Sequence, residues 1–313
     1  MGGFTYIDLF AGIGGFHQAA DRLGGRCVFA SEIDPEAKRA YEANYGIAPH
    51  GDIREIDARD IPDHDALFAG FPCQPFSIIG SGRGFGDARG TLFFEIARIL
   101  EAKRPPMFVL ENVKRLSGHD GGRTLGRILD TLEGIGYRTE WKILNALDFG
   151  LPQKRERTII VGFLGGGEGF SFPHGSGPGR LEDVLEPDDG VDARFFASER
   201  IARSRAERHS SPYSPGIWHE NKSGNVSSYP YSCALRAGAS YNYLLVDGKR
   251  RLTPREMLRL QGFPDSFEIV CGDSQTRRQA GNAVPVNVIE AVLREALSAS
   301  PAIGHTEDLS RIA

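Results

Sequence analysis

The first half of the chain alternates short apolar runs with segments of helical spacing. The apolar runs that predict β-strands are TYIDLFAG, CVFASEID, HDALFAG and PMFVLENV. The segments that place apolar residues on one helical face are GFHQAADRLG, PEAKRAYEANYG and TLFFEIARILEAK. This alternation predicts an α/β fold, a doubly wound, Rossmann-like domain on a parallel sheet. After a helix near 122–135, GYRTEWKILNA and RTIIVGF predict an antiparallel pair at the sheet edge.

Regular periodicity stops after Phe163, where glycine-rich segments and scattered aromatic residues follow. Helical spacing returns at LTPREMLRLQGFP and continues to VPVNVIEAVLREALSA near the end of the chain. We therefore expect a main domain over 1–180, a smaller loop-rich domain over 181–253, and a returning segment over 254–313 that completes the main domain.

The composition is that of a globular protein with a sizeable core. Of 313 residues, 40% are hydrophobic and 25% are charged. No apolar run approaches the ~18 residues of a membrane span, and the N-terminus lacks a signal-peptide pattern, so we expect a cytoplasmic protein. The four cysteines lie far apart without a C-x-x-C spacing, which argues against a zinc site and against a disulfide framework.

The charges are unevenly distributed, although the formal net charge is only −4. Residues 181–192 contain six acids and no base, whereas residues 193–260 contain twelve bases and five acids, a surplus of seven positive charges. Such a basic stretch is typical of a surface that binds phosphate groups. An ordinary solvated basic surface is the alternative.

Cys73 lies between Pro72 and Pro75, directly after an apolar run. Because proline fixes its own torsion angle and lacks an amide hydrogen, the segment can neither continue as a central strand nor begin a helix there. The thiol is therefore presented on a stiff turn, unless Cys73 is a buried structural cysteine. Predicted strands also end in Glu32 and Glu111, at the sheet rim where ligands of parallel sheets bind.

The segment DLFAGIGG places Gly12, Gly14 and Gly15 where the backbone can approach a ligand closely. The dinucleotide fingerprint would need glycine at the position of His17, which argues against a nicotinamide-linked oxidoreductase. Glu32 follows at about the distance of an acid that binds ribose hydroxyls, so a nucleoside ligand is predicted. A tight structural turn is the alternative reading of the loop.

Along nearly its whole length the chain resembles the cytosine carbon-5 DNA methyltransferase family. The matching blocks, in that family's order, are DLFAGIGGF (8–16), SEID (31–34), GDI (51–53), GFPCQPFS (70–77), RGTLFFE (89–95), ENV (111–113), QKRERTIIVGF (153–163), RLTPRE (251–256) and GNAVP (281–285). The Pro-Cys block followed by ENV and QxRxR is highly specific, whereas the glycine loop alone would not be.

The resemblance implies methyl transfer from S-adenosylmethionine to carbon 5 of a flipped-out cytosine. Cys73 would be the nucleophile that adds to carbon 6, and Glu111 would stabilise or protonate ring nitrogen 3. Arg155 and Arg157 would hold the carbonyl oxygen, a phosphate or Glu111, and the sequence does not divide these roles. Asn112 of the ENV block completes the expected catalytic set. No residue stands out as the base that removes the carbon-5 proton.

The same resemblance implies the ligand contacts. Expected S-adenosylmethionine contacts are Phe10, Gly12, Gly14, Gly15, Glu32, Ile33, Asp52, Ile53, Pro72, Leu92, Asn282 and Ala283. Expected DNA contacts are Ser77, Arg83 and Arg89 in a glycine-rich loop that closes over Cys73, and Asn221, Lys222, Arg236 and Tyr241 in the family's target recognition domain, 181–253. Where relatives carry Thr-Leu, this chain has Ala234-Leu235, so a phosphate contact is either lost or moved to Ser232.

The sequence thus predicts a DNA (cytosine-5-)-methyltransferase that acts on a short specific duplex sequence and is the modification half of a restriction-modification system. The expected partners are double-stranded DNA and a cognate endonuclease, and a bacterial, nucleoid-associated monomer is expected. One alternative is a transfer-RNA cytosine-5 methyltransferase, for which RNA loops and stacking aromatic residues would replace duplex reading. Another is a catalytically inactive DNA-binding regulator, which should have lost the nucleophile.

Overall fold

The structure is a computed structural model, and it describes residues 3–72, 92–301 and 303. Its strands are β1 (Phe4–Leu9), β2 (Gly25–Ser31), β3 (Ala66–Gly70), β4 (Met107–Val113), β5 (Arg138–Asn145), β6 (Gln153–Lys154), β7 (Glu156–Phe163), β8 (Ile217–Glu220), β9 (Val226–Tyr229), β10 (Ser232–Cys233) and β11 (Leu244–Val246). Its α-helices are α1 (Gly15–Asp21), α2 (Pro35–Tyr45), α3 (Leu92–Lys103), α4 (Arg123–Gly134), α5 (Glu199–Arg208), α6 (Pro254–Leu260), α7 (Asp273–Asn282) and α8 (Val286–Ser298).

Six strands form the main sheet in the order β2-β1-β3-β4-β7-β5. β1 pairs in parallel with β2 and β3, and β3 pairs in parallel with β4, so the predicted doubly wound α/β fold is confirmed. β7 runs antiparallel to β4. The predicted pairing of β5 with β7 at the sheet edge is confirmed, with β5 outermost and β7 between β4 and β5.

The central strands are buried on both faces, which explains why they are continuous apolar runs. Leu67 and Phe68 of β3 have no exposed surface, and the Phe68 ring stacks on Phe16 of α1 with centroids 5.5 Å apart. Burial of a side chain of this size stabilises the fold by about 1.5–3 kcal/mol. No helix in the described part of the chain is long and apolar enough to cross a membrane.

The two ends of α2 are set by its sequence. The Asp34 side chain accepts hydrogen bonds from the backbone N–H groups of Glu36 and Ala37, and Pro35 occupies the first helical position. Gly46 ends the helix with φ of +66°, a left-handed conformation that favours glycine. These signals fix where the chain leaves β2 and therefore where Glu32 and its neighbours lie.

The chain divides into two compact units. The first comprises Met1–Leu144, Glu156–Pro173 and Ile289–Ala313 and holds the main sheet. The second comprises Asn145–Arg155 and His174–Val288, with α5 to α7, the antiparallel sheet β11-β8-β9 and the parallel pair β10-β6. The second unit contains the whole of 181–253 and extends beyond it at both ends, so 254–288 groups with the insertion. The division at 180 and 253 stays a prediction.

Candidate active site

The glycine loop after β1 is tied to Glu32 at the end of β2. The backbone N–H of Gly12 donates to Glu32 Oε2 at 2.8 Å, and the N–H groups of Ile33 and Asp34 each donate to Oε1 at 2.8 Å. Parallel pairing of Leu9 with Ser31 brings the two strand ends side by side. The loop and the acid expected to bind a nucleoside therefore form one structure.

The glycines of this loop are needed for different reasons. Gly14 has φ of +82°, and a Cβ atom there would lie 2.3 Å from Cε2 of Tyr45, so the ring leaves no room for a side chain. Gly12 has φ of +56°, but a Cβ atom there would meet nothing within 4 Å in the described structure. Gly14 is thus required by packing, whereas Gly12 borders open space that a ligand can fill. Gly15 is buried and begins α1.

Asp8 of β1 is a functional candidate in addition to the residues predicted from the sequence. It has no exposed surface, and neither carboxylate oxygen has a hydrogen-bond partner among the described residues. Burial, with a smaller effect from the Glu32 carboxylate, raises the pKa of Asp8 well above its ordinary value. The signal was available in the sequence, because an acid inside a buried apolar strand is rarely left unpaired.

The other predicted cofactor residues of the first unit differ in their exposure and in their contacts. Asp52 caps a short 3-10 helix and binds Arg54, whose guanidinium holds the pKa of the Asp52 carboxyl below its ordinary value. Ile53 is buried, whereas Ile33 is 67% exposed beside Glu32. The remaining residues are Phe10, with φ of +56° and packed against the core, Pro72, which is exposed, and Leu92, which is half-buried.

Glu111 lies beside the strand end that leads to the Pro-Cys segment. In the parallel pair of β3 and β4, Gly70 is opposite Glu111, so the acid is next to the chain two residues before Pro72. Nε of Arg157 lies 2.7 Å from Oε1 of Glu111, with side chains only 12% and 9% exposed. Asn112 donates from Nδ2 to the carbonyl of Phe71 at 2.9 Å, which fixes the backbone entering this segment.

Arg155 is placed differently from Arg157, two residues away. Its side chain is fully buried in the second unit, where Nη1 donates to the carbonyl of Leu235 at 3.0 Å. Nη2 donates to the carbonyls of Gly281 at 3.0 Å and Ala283 at 2.7 Å. The structure thus divides the roles that the sequence left undivided: Arg157 holds Glu111, and Arg155 holds backbone carbonyls.

Comparison with known proteins is consistent with this arrangement. Residues 4–298 match the model of the family described as C-5 cytosine-specific DNA methylase. The chain belongs to this family. It is 57% identical over 290 residues to the Type II methyltransferase M.NgoBI of Neisseria gonorrhoeae, covering 92% of this chain and 91% of that protein. It is 39% identical over 311 residues to M.HhaI of Haemophilus parahaemolyticus, covering 93% of each.

The fold of this methylase is also that of a solved relative of low sequence identity. The crystal structure of S. pombe Dnmt2 methyltransferase matches with a TM-score of 0.70 at 23% identity, covering 94% of this chain and 98% of that one. At this identity the likeness concerns the fold alone, and it agrees with the mostly parallel sheet described above.

Several predicted residues of the methylase lie outside the described residues. These are Cys73, Ser77, Arg83 and Arg89, whose expected roles stay predictions. The cysteines that the structure does describe, Cys27, Cys233 and Cys271, form no disulfide with one another. Burial raises the pKa of Cys27 to about 12 and also raises that of Cys233, which disfavours the reactive thiolate at both positions.

The predicted recognition residues of the methylase lie in the second unit and differ in how far they are already engaged. Oδ1 of Asn221 accepts from the backbone N–H groups of Ser223 and Asn225, so Asn221 shapes the turn between β8 and β9. Lys222 is exposed in that turn. Arg236 is exposed, and its guanidinium lies 4.9 Å from the centroid of the Tyr243 ring.

Three further residues with predicted ligand contacts lie in the same unit. Ser232 has no exposed surface and its hydroxyl donates to the Cys233 carbonyl, so the suggestion that Ser232 makes a phosphate contact is wrong. Asn282 is exposed at the end of α7, and Ala283 is buried with its carbonyl bound by Arg155. Both stay predicted cofactor contacts.

Proposed function

We propose that this methylase transfers the methyl group of S-adenosylmethionine to carbon 5 of a flipped-out cytosine in duplex DNA, with Cys73 as the nucleophile. The observation that carries the proposal is the Glu111–Arg157 ion pair, which stands beside the strand end that leads to Cys73. A cytosine stacked in a duplex cannot reach these groups, so the base must be rotated out of the helix.

The roles of the chain's own residues follow from their chemistry. The Cys73 thiolate forms a bond to carbon 6 of the ring, which makes carbon 5 a nucleophile and moves negative charge toward nitrogen 3. Glu111 donates its proton to nitrogen 3, which neutralises that charge, and Arg157 holds the carboxyl group in place and pairs with the carboxylate that results. When the proton on carbon 5 has been removed, the bond from Cys73 to carbon 6 breaks and the thiolate is regenerated.

The first unit offers features that fit S-adenosylmethionine, whose bound form supplies an electrophilic methyl group on a positively charged sulfur. Gly12 borders open space, and Glu32 stands at the end of the neighbouring strand where ribose hydroxyls would bind. Asp8 supplies a buried carboxyl without hydrogen-bond partners in the described structure, which suits a ligand carrying positive charge. Ile33 offers an exposed apolar surface for the adenine ring.

We also propose that the enzyme is the modification half of a restriction-modification system, working as a monomer on double-stranded DNA beside a cognate endonuclease. The Type II names of the relatives support this assignment. The region 181–253 is proposed as the target recognition domain, and the surplus of positive charge over residues 193–260 suits phosphate binding. A cytoplasmic, nucleoid-associated location follows from the proposed substrate.

The proposal is tested by following labelled methyl groups from S-adenosylmethionine into unmethylated genomic DNA, with transfer RNA as a parallel substrate. Wild type should label DNA, and bisulfite sequencing should place the methyl groups in one short motif. Cys73→Ser should abolish labelling while S-adenosylmethionine affinity is retained, and Cys271→Ser is the matched control that should label normally. Labelling of RNA alone would move the substrate to RNA, and labelling of neither would favour a binding protein.

A further inference from the structure

The segment 235–243 of the second unit has no regular secondary structure, yet side chains from several elements hold its backbone. Gln153 accepts from the N–H of Leu235 at 3.0 Å, and Arg155 donates to the carbonyl of the same residue. At the other end of the segment, the N–H of Glu220 in β8 donates to the carbonyl of Tyr243 at 3.0 Å. Both ends are therefore anchored.

Two arginines hold the middle of the segment. Nη2 of Arg277 in α7 donates to the carbonyls of Ala239 and Ser240, the latter at 3.1 Å. The buried Arg205 of α5 donates from Nη2 to the carbonyl of Asn242. Carbonyls that would otherwise bind water thus bind charged donors, which are the stronger hydrogen bonds in proteins.

Gly281 lets α7 approach the same segment closely. A Cβ atom on Gly281 would lie 2.4 Å from the backbone nitrogen of Ala237 and 2.8 Å from the carbonyl carbon of Arg236. These atoms belong to the backbone and cannot rotate away. The segment is therefore fixed in one shape before any ligand arrives, which reduces the ordering cost of binding.

Arg236 is the cation that this fixed segment presents. It is exposed, its backbone N–H donates to the Tyr243 hydroxyl at 3.1 Å, and its guanidinium carbon lies over the Tyr243 ring, 4.9 Å from the ring centroid. Within the described part of the second unit, the guanidinium of Arg236 has neither an acidic nor a carbonyl partner. In contrast, Arg205, Arg250 and Arg259 each bind a carboxylate. The cation–π contact with Tyr243 restricts where the guanidinium lies while leaving its N–H donors available.

We propose that Arg236 reads a guanine in the target sequence and that Arg277 is the positioning residue that holds the reading segment in shape. The inference rests on the proposed function, and deepens it by naming the base that is recognised and the residue that recognises it. A planar guanidinium held in one orientation can donate two parallel hydrogen bonds to O6 and N7 of guanine in the major groove. A phosphate contact would not require such fixing, because a phosphate accepts from many directions.

The test compares wild type with Arg236→Ala, Arg236→Lys and Arg277→Lys on genomic DNA, with methylated sites read by bisulfite sequencing. The matched control is Arg203→Ala, which removes an exposed arginine of α5 from the same unit. Arg236→Ala should lower the rate at the wild-type motif by roughly 5- to 150-fold and add methylation where one guanine of the motif is replaced. Arg236→Lys should show the same relaxation, because lysine lacks the planar fork.

Arg277→Lys should lower the selectivity for guanine at the same position of the motif. Its kcat on saturating DNA and its midpoint of thermal unfolding should stay near wild type. A merely structural role of Arg277 would not give this combination. A uniform rate loss by Arg236→Ala at an unchanged motif, with a weaker salt dependence of binding, would show a phosphate contact and overturn the inference. An unchanged motif and rate would also overturn it. Wild type that methylates no DNA would instead overturn the proposed function.

Discussion

Among single residues, Glu111 and Arg157 give the strongest support for the proposed methyl transfer. Both side chains are nearly buried, and they form one ion pair between adjacent strands, β4 and β7. A buried carboxylate destabilises the fold unless it is paired. The ion pair with Arg157 therefore allows Glu111 to lie nearly buried at the edge of the sheet where the strands end. The neighbouring acid Glu156 forms an exposed pair with Lys114 and gives a matched comparison.

Glu111→Gln should lower kcat by about 10²–10⁴-fold, because glutamine cannot share a proton with ring nitrogen 3. Binding of S-adenosylmethionine should be unaffected, since Glu111 is not among its proposed contacts. Glu156→Gln should leave kcat near wild type. Steady-state methylation of a duplex containing the enzyme's motif measures both, and equal kcat values for the two variants would contradict the role of Glu111.

Asp8→Asn should stabilise the protein near neutral pH and weaken S-adenosylmethionine binding. Because the folded state raises the pKa of Asp8 above its unfolded value, the stability that the neutral carboxyl contributes is lost as pH rises through the folded pKa. Asparagine has no charge to bury, so unfolding free energy should rise by about 1–3 kcal/mol. Asparagine, unlike Asp8, cannot ionise when the cationic ligand binds, so the variant should bind S-adenosylmethionine more weakly.

The control for Asp8 is Asp65→Asn in the same unit. Asp65 accepts from the backbone N–H of Thr5 at 2.7 Å and from its hydroxyl at 2.8 Å, so this substitution should destabilise the protein. Urea unfolding and calorimetric titration with S-adenosylmethionine measure the two effects. An Asp8→Asn variant that is less stable than wild type, with unchanged ligand affinity, would refute the assignment.

On the scale of elements, the glycine loop between β1 and α1 allows packing and ligand binding to be tested separately. Gly14→Ala should mainly lower the thermal midpoint, because the new methyl group would collide with the Tyr45 ring. Gly12→Ala should mainly weaken S-adenosylmethionine binding, since its methyl group would occupy the open space assigned to the ligand. The reverse pattern would contradict the proposed site.

Gly46→Ala supplies the matched control for both loop variants. Gly46 also has positive φ, +66°, with open space around its Cβ position, but it lies at the end of α2 away from the loop. It should show only the conformational cost of about 1–2 kcal/mol and unchanged ligand affinity.

The elements that the sequence predicted well are those with strong local signals. Buried parallel strands read as apolar runs, and α2 carries its own proline and glycine boundaries. The order of β1 to β4 within the sheet could not be predicted, because strand order depends on pairing between residues far apart. The same holds for Arg155 and Arg157, whose spacing suggested one shared site although their partners differ.

At the scale of the whole molecule, long-range side-chain contacts determine which segments group together. Gln153 donates from Nε2 to the carbonyl of Leu260 at 2.7 Å, a contact across 107 residues of sequence. Such contacts draw 145–155 and 254–288 into the second unit. Composition could locate the loop-rich insertion at 181–253, but it carried no information about these partners.

Arg155→Met should destabilise the protein by more than about 2 kcal/mol, because it leaves three buried carbonyls without their charged donor. Arg180→Met, which removes an exposed arginine paired with Glu182, should change stability by less than about 0.5 kcal/mol. Denaturant unfolding compares the two. Equal stability of both variants would show that Arg155 does not organise the second unit.

The covalent role of Cys73 is tested with duplex DNA whose target cytosine carries fluorine at carbon 5, incubated with enzyme and S-adenosylmethionine. Fluorine cannot leave as the proton does, so the adduct should accumulate as a methylated, covalent protein–DNA complex in an intact mass spectrum. Peptide mapping should place the bond on Cys73, and Cys73→Ser should form none. An adduct on Cys27, Cys233 or Cys271, or an active enzyme that forms no adduct, would contradict the account.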